Sequence, residues 1–421
     1  MPDIQPTGRE QLIKEVRAAV SEDMDMNREI PDEEIRELIK KTVFHRSREQ
    51  YIELKEKRGV VEAVFNSMRR LDILQPVIDD KSVTEIMVNG PDAIFIERDG
   101  RISRLNLRFD SSDKLEDVIQ SIVSRTNRAV NESAPIVDAR LPDGSRVNIV
   151  LKPVALNGPI MTIRKFPPSP LSMDRLVNMG SLTREAADAL CGLVKAKYNI
   201  FISGGTGSGK TTFLNALAGY IPEDERIVTI EDSAELQIKT IENIVRMETR
   251  NANTEGKGKI TIRELIRTSL RMRPERVIVG EVRGAEALDM LQAMNTGHDG
   301  SISTGHANSP ADMLSRLETM VLSAASLPLE AIRQQMVSAI DILIHLSRLR
   351  DRSRRLLSIS EVTGCLNGEI VLNPLFEFCD RGDTPDGRVE GVLQRTGNSM
   401  LHTAKFRMSG IKCSLQEGPL V

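Results

Sequence analysis

The residues with the clearest chemical potential are Gly204-Gly205-Thr206-Gly207-Ser208-Gly209-Lys210-Thr211, which fit the pattern G-x-x-x-x-G-K-[S/T]. Glycines at this spacing let successive backbone N–H groups turn inward around a phosphate, and a helix starting just beyond presents its positive end to the same charge. Lys210 then reaches toward the β- and γ-phosphates, Thr211 ligates a magnesium ion, and Thr212 completes the phosphate-binding set.

Such a cradle by itself only binds. Hydrolysis also needs a carboxylate to hold the metal and a group to place a water in line. Two acids stand where they could serve: Glu231-Asp232 follow the apolar run Ile227-Val228-Thr229-Ile230, and Glu281 follows Val277-Ile278-Val279-Gly280. Both are expected at the carboxyl ends of strands, where ligands bind in an open α/β sheet. His298 and His306 bracket Asp299–Gly305. His306, at the end of a short strand, is expected near Glu281 and a γ-phosphate, whereas His298 reads equally well as structural or catalytic.

The elements that must hold these residues alternate along the chain. Asn199–Ser203, Arg226–Ile230, Arg276–Gly280 and Ser301–Thr304 read as strands, and Thr212–Ala218, Ile262–Leu270 and Ala285–Ala293 as helices. That alternation predicts an α/β domain with a mostly parallel sheet and helices on both faces. A strand-like Asp341–Leu346, a basic run Arg348–Arg355 and a β-rich tail follow. The basic run reads as a solvated turn or, alternatively, as a contact with anionic headgroups.

Upstream, Pro167-Pro168-Ser169-Pro170 can continue neither helix nor strand and marks an interdomain linker. Before it, strand patterns at Val83–Asn89, Ala93–Glu97, an alternating Leu105-Leu107-Phe109, a helix around Leu115–Val123, a hairpin turning at Asp143-Gly144 and a strand Met161–Phe166 predict a smaller α+β domain. Earlier still, apolar residues recur at helical spacing, with Pro31-Asp32 opening a helix and Arg58-Gly59 expected to break one. The expected partition is a helical segment over 1–78, an α+β domain over 79–166, a linker over 167–182 and the α/β domain with its tail over 183–421.

Composition narrows the function classes. The 421 residues carry 57 Lys+Arg against 60 Asp+Glu, no Trp and only 3% aromatics, which leaves little for stacking single-stranded bases and argues against a dedicated nucleic-acid binder. No apolar run reaches the length of a membrane span, and the first twenty residues lack the layout of a signal peptide, so a cytosolic protein is expected. Cys191, Cys365, Cys379 and Cys413 are too scattered for a C-x-x-C metal clip or dithiol.

Four stretches together resemble the Walker A, Asp box, Walker B and His box of the type II/IV secretion ATPases: Gly204–Thr211, Thr229–Leu236, Arg276–Arg283 (RVIVGEVR) and Gly297–Asn308 (GHDGSISTGHAN). The segments VTEIMVNGPD at 83–92, PIVDARLPDGSRVN at 135–148 and EGKGKITIRELIRTSLRMRPERVIVGEVRGAEALDMLQAMNTGHDGS at 255–301 are similar, more narrowly, to the CpaF-type pilus assembly ATPases of tight-adherence systems.

The resemblance implies a RecA-like ATPase domain binding ATP and Mg²⁺. It also implies a homohexamer that drives pilus assembly or secretion at the cytoplasmic face of the inner membrane, docked on a membrane platform protein. It assigns Glu231 to orienting the attacking water, Glu281 to holding the metal through water, and His306 to reporting on the γ-phosphate. Arg140 and Arg146 correspond to the hairpin that reaches the nucleotide. The four-cysteine zinc module of larger relatives is missing, so no structural zinc is expected. Two other functions remain open on sequence alone: an ATP-gated scaffold without motor activity, and a ring motor acting on DNA.

Overall fold

The structure is a computed structural model that describes residues 8–24, 28, 30–49, 52–98, 100–125, 129–166, 170–250, 252 and 256–416. The chain divides into two compact units, Met1–Pro168 and Ser169–Val421. Residues 167–169 of the proline-rich stretch, and Asp99 of the Asp99-Gly100 turn, lie outside the described residues.

The first unit begins with helices α1 (Gly8–Asp23), α2 (Asp32–Glu49) and α3 (Leu54–Arg69), which bury Val16, Val20, Ile35, Ile39, Val60, Val64 and Phe65 against one another. The break expected at Arg58-Gly59 does not occur, because Gly59 lies inside α3. A Cβ there would stand 2.8 Å from the Arg9 guanidinium, so the glycine permits close approach of α1. A short α4 (Gln75–Asp79) leads to the strands β1 (Val83–Asn89), β2 (Ile94–Arg98) and β3 (Arg101–Arg104), helix α5 (Ser112–Ser124), and strands β4 (Ile136–Arg140), β5 (Arg146–Val150) and β6 (Ile160–Arg164).

The sheet is antiparallel in the order β3-β2-β1-β6-β5-β4. Alternate residues such as Val147, Ile149, Met161 and Ile163 point inward to meet Leu115, Val118, Ile119 and Ile122 of α5. Leu105, Leu107 and Phe109 do not form the strand their alternation suggested. They follow β3 as irregular chain and seal the same core.

The second unit comprises α6 (Met173–Asn178), α7 (Arg184–Lys195), β7 (Ile200–Gly204), α8 (Lys210–Ala218), β8 (Ile227–Glu231), β9 (Ile244–Glu248), α9 (Ile262–Ser269), β10 (Arg276–Val279), α10 (Glu286–Asn295), β11 (Ile302–His306), α11 (Pro310–Ala324), α12 (Leu329–Ala339), β12 (Ile342–Arg348), β13 (Arg354–Leu366), β14 (Glu369–Asp383), β15 (Val389–Arg395) and α13 (Ala404–Ser409). The segment expected as a linker over 167–182 therefore contains α6, whose Met173 and Leu176 are buried in this unit's core.

Nine strands run in the order β15-β14-β13-β12-β7-β11-β10-β8-β9. The six from β12 to β9 are parallel, and β13 to β15 extend the sheet antiparallel. β7, β8 and β10 are buried along their whole length, as parallel strands covered on both faces must be, which is why they read as apolar runs rather than alternating ones. Ile200, Ile202, Ile278 and Ile344 pack toward α7 and α8 on one face. Phe201, Val228, Val277 and Leu343 pack toward α10, α11 and α12 on the other.

Candidate active site

The chemistry-bearing residues of the second unit gather at the carboxyl ends of the parallel strands, the edge where an open α/β sheet binds its ligands. β7 ends at Gly204, and a Cβ there would come within 2.4 Å of the Leu346 carbonyl and 2.6 Å of Ser208 Oγ. Only glycine lets the loop leave the strand this close to β12. At Gly205 and Gly207 a Cβ would meet nothing within 4 Å, so the loop borders open space at both positions. Gly209, at φ +93°, turns the chain into α8. The helix begins at Lys210, two residues earlier than the sequence suggested, which puts Thr211 and Thr212 in its first turn.

A continuous line of polar contacts joins the four sequence segments. Lys210 Nζ donates to the carbonyls of Gly204 and Gly205, both at 3.1 Å, and lies 3.2 Å from His306 Nδ1. Partial burial holds the imidazole's pKa below its ordinary value against the pull of Glu281, and the charges of Lys210, Arg283 and Arg316 push the same way as burial. At neutral pH the ring is therefore uncharged. Because Nδ1 accepts from an ammonium, Nε2 carries the proton. Nε2 lies 2.9 Å from Glu281 Oε1, close but out of line for a hydrogen bond. Arg283 Nη2 donates to Glu281 Oε2 at 2.8 Å, and its Nη1 is 3.8 Å from Asp232 Oδ2. A cavity of about 240 Å³ opens beside this line, walled by Gly205, Thr206, His306, Asn308, Asp312 and Arg316.

Glu231 is different. It is buried at the end of β8, where its Oε2 accepts from the backbone N–H groups of Glu235 (2.6 Å) and Leu236 (2.9 Å). Its Oε1 is buried without a hydrogen-bond partner. Burial pushes its pKa up to about 7, outweighing the two N–H donors. Gly280 makes room for it, since a Cβ at that position would sit 3.1 Å from Glu231 Cγ.

These features fit a polyphosphate with a hard cation. The loop borders open space at Gly205 and Gly207, an ammonium bonds two of its carbonyls, and Ser208 Oγ and Glu231 Oε1 are buried without partners. The oxygen donors Thr211 and Glu281 are the kind that magnesium takes.

Not every sequence-predicted residue joins the group. His298 precedes β11 and His306 ends it, so the two lie at opposite ends of one strand. His298 offers its carbonyl to Ser301 Oγ at 2.7 Å, a structural contact away from the phosphate edge.

Arg140 and Arg146 belong to the first unit and face each other in register across the β4–β5 hairpin. Arg164, which sequence reasoning did not select, stands in register beside Arg146, and the row continues to Glu85 and Glu97. The alternation of β6 was readable in its sequence, but the register that aligns the three arginines was not. Arg283 was also missed as a link. Its signal was its place two residues after Glu281.

The basic run Arg348–Arg355 forms the turn between β12 and β13 and is engaged within the fold. Arg350 pairs with Asp380 and Asp383, and Arg355 donates to the Gly180 carbonyl. Arg348, Arg350, Arg352 and Arg354 are nonetheless exposed. None of the described helices is long and apolar enough to cross a membrane. Among the described residues, no group of three or more His, Cys, Asp or Glu is arranged to hold a metal ion.

Residues 68–371 match the family described as type II/IV secretion system protein. The chain belongs to that family. A putative conjugal transfer protein of Mycobacterium tuberculosis is 35% identical over 294 residues, covering 68% of this chain and 83% of the relative. The conjugal transfer protein TrbB of Rhizobium radiobacter is 33% identical, covering 70% and 88%. The type IV secretion system protein PtlH of Bordetella pertussis is 35% identical, covering 68% and 91%.

Among solved structures, the pilus retraction motor PilT with bound ADP superposes with a TM-score of 0.52 at 20% identity, covering 80% of this chain and 87% of that one. The Legionella pneumophila ATPase DotB gives 0.50 at 23%, covering 68% and 78%. At such identities the likeness is one of fold, and it agrees with the RecA-like domain that the family resemblance implied.

Proposed function

We propose that this secretion-family chain is a Mg²⁺-dependent ATPase of CpaF type. In this reading it works as a homohexameric motor at the cytoplasmic face of the inner membrane, where it docks on a platform protein and powers pilus assembly or protein secretion. The observation that carries the reading is the line of close approaches Lys210–His306–Glu281–Arg283–Asp232, which brings the phosphate loop together with the ends of three strands.

Each residue then has a task. The N–H groups of Gly204–Lys210 cradle the phosphates, with Thr211 and Thr212 following in the first turn of α8, and Lys210 neutralises the transferring group. The Thr211 hydroxyl and, through water, Glu281 would hold Mg²⁺, which when bound draws negative charge off the phosphoryl oxygens. Glu231, with one oxygen fixed by two backbone donors and the other unpartnered, orients the attacking water. His306, neutral and poised between Lys210 and Glu281, changes partners when a γ-phosphate arrives. Arg140 and Arg146 supply planar guanidinium forks for charge developing on the phosphoryl oxygens.

The test is ATP turnover per subunit across protein concentration, paired with a mass measurement. Specific activity that rises as hexamers form supports the ring motor. Full activity in a monomeric species would overturn the ring motor.

A further inference from the structure

The turn that the sequence marked as a basic run touches the phosphate loop. β12 lies beside β7, with Leu346 opposite Gly204, so the β12–β13 turn extends past the start of the loop. Arg348 and Arg354 face each other where the turn leaves the sheet. Arg354 Nε donates to the Gly207 carbonyl at 2.9 Å, and its Cδ stands 3.4 Å from where a Cβ of Gly209 would be.

The turn is held from behind. Asp351 accepts from Ser353 N–H and Oγ and from the Val389 N–H, which ties it to β15, and Arg350 reaches Asp380 and Asp383 of β14. Arg354 differs from its neighbours in one respect. Arg350 and Arg355 spend their terminal nitrogens on acids or carbonyls, whereas Arg354 is exposed and bonds the described residues through Nε alone. An exposed arginine anchored through Nε to a phosphate loop, with no bond to the described residues from its two terminal amino groups, retains the bidentate fork that phosphate oxygens take. His306 closes the loop's other side at Gly204–Gly205, through Lys210.

We infer that Arg354 is a nucleotide-binding residue. Delivered by the antiparallel extension, it donates to the phosphate chain from the Gly207–Gly209 side of the loop. This rests on the ATP-binding reading above. It adds that the extension, beyond completing the sheet, contributes directly to nucleotide affinity.

The test is calorimetric titration of the full chain with Mg-ADP and, separately, with inorganic tripolyphosphate. Wild type is compared with Arg354→Gln, Arg354→Lys and Arg352→Gln, the last removing the same charge from the same turn. Arg354→Gln is expected to weaken both ligands about tenfold, roughly 1.4 kcal/mol. Arg354→Lys, which keeps the charge and loses the fork, should weaken them about fivefold, and Arg352→Gln less than twofold.

Affinities of Arg354→Gln within twofold of wild type would overturn the inference. So would an equal loss in Arg352→Gln, which would mean a diffuse field, or a loss seen with ADP and not with tripolyphosphate, which would mean contact with the base. Should Arg354→Gln lower the melting temperature without ligand, Arg354→Lys decides: unchanged affinity in that variant overturns the inference. A wild type that binds neither ligand, equal to Lys210→Ala, would instead sink the ATP-binding reading itself.

Discussion

The two units use the same kinds of charged residue in opposite ways. At the strand ends of the second unit, Lys210, His306, Glu281, Arg283 and Asp232 stand in a line of neighbours in which the Glu281 carboxylate lies between His306 and Arg283. On the sheet of the first unit, like stands beside like: Arg140, Arg146 and Arg164 in register, then Glu85 and Glu97. In the first arrangement opposite charges and polar groups alternate at short range. The second gathers three guanidinium groups at one end of a row and two carboxylates at the other.

The largest effect that could break this contrast is in the phosphate loop. Lys210→Ala removes the ammonium that touches two loop carbonyls and His306, and steady-state phosphate release should fall at least about 100-fold. Next come Arg140→Gln and Arg146→Gln. Each should lower turnover roughly 10- to 100-fold while leaving ADP affinity, measured by titration, nearly unchanged. Melting temperatures measured alongside separate a catalytic from a structural role. A marked drop in melting temperature would show that the arginines are structural.

pH offers a sharper probe of Glu231. Its pKa is raised to about 7 by burial, so a carboxylate that must be ionised to orient water makes turnover climb as pH rises through 7, about tenfold between pH 6 and 8. The sign for stability is the reverse. Between the ordinary carboxylate range and pH 7 the folded state holds a proton that the unfolded state has lost, so the melting temperature falls as pH rises across that window. Glu231→Gln should abolish both trends, and their persistence would move the ionisation to another group. The smallest effect is expected at Gly280→Ala, whose added methyl presses on Glu231 Cγ. Turnover several-fold lower and about 1 kcal/mol of lost stability should show in kinetics and denaturant melts.

What was legible in the sequence follows from how local each feature is. The phosphate loop, Glu231 and Glu281 are short strings at the ends of apolar strands, and strands buried on both faces announce themselves as continuous Ile and Val runs. His306 was placed correctly because its strand is short and ends at it. Contacts that span the chain were not readable. Lys210 and His306 are 96 residues apart, and the acids that occupy Arg350 lie in β14, across a hairpin whose register depends on bulges. The row of three arginines rests on antiparallel register, which alternation alone leaves open. Gly59 read as a helix break because the packing of the neighbouring helix, which needs its small size, was invisible.

Magnesium-dependent phosphate release by the purified chain, with Lys210→Ala as the blank, tests the central claim most directly. The account predicts turnover in the wild type that is lost on chelating magnesium and absent from the variant. Release equal in the two proteins would contradict it.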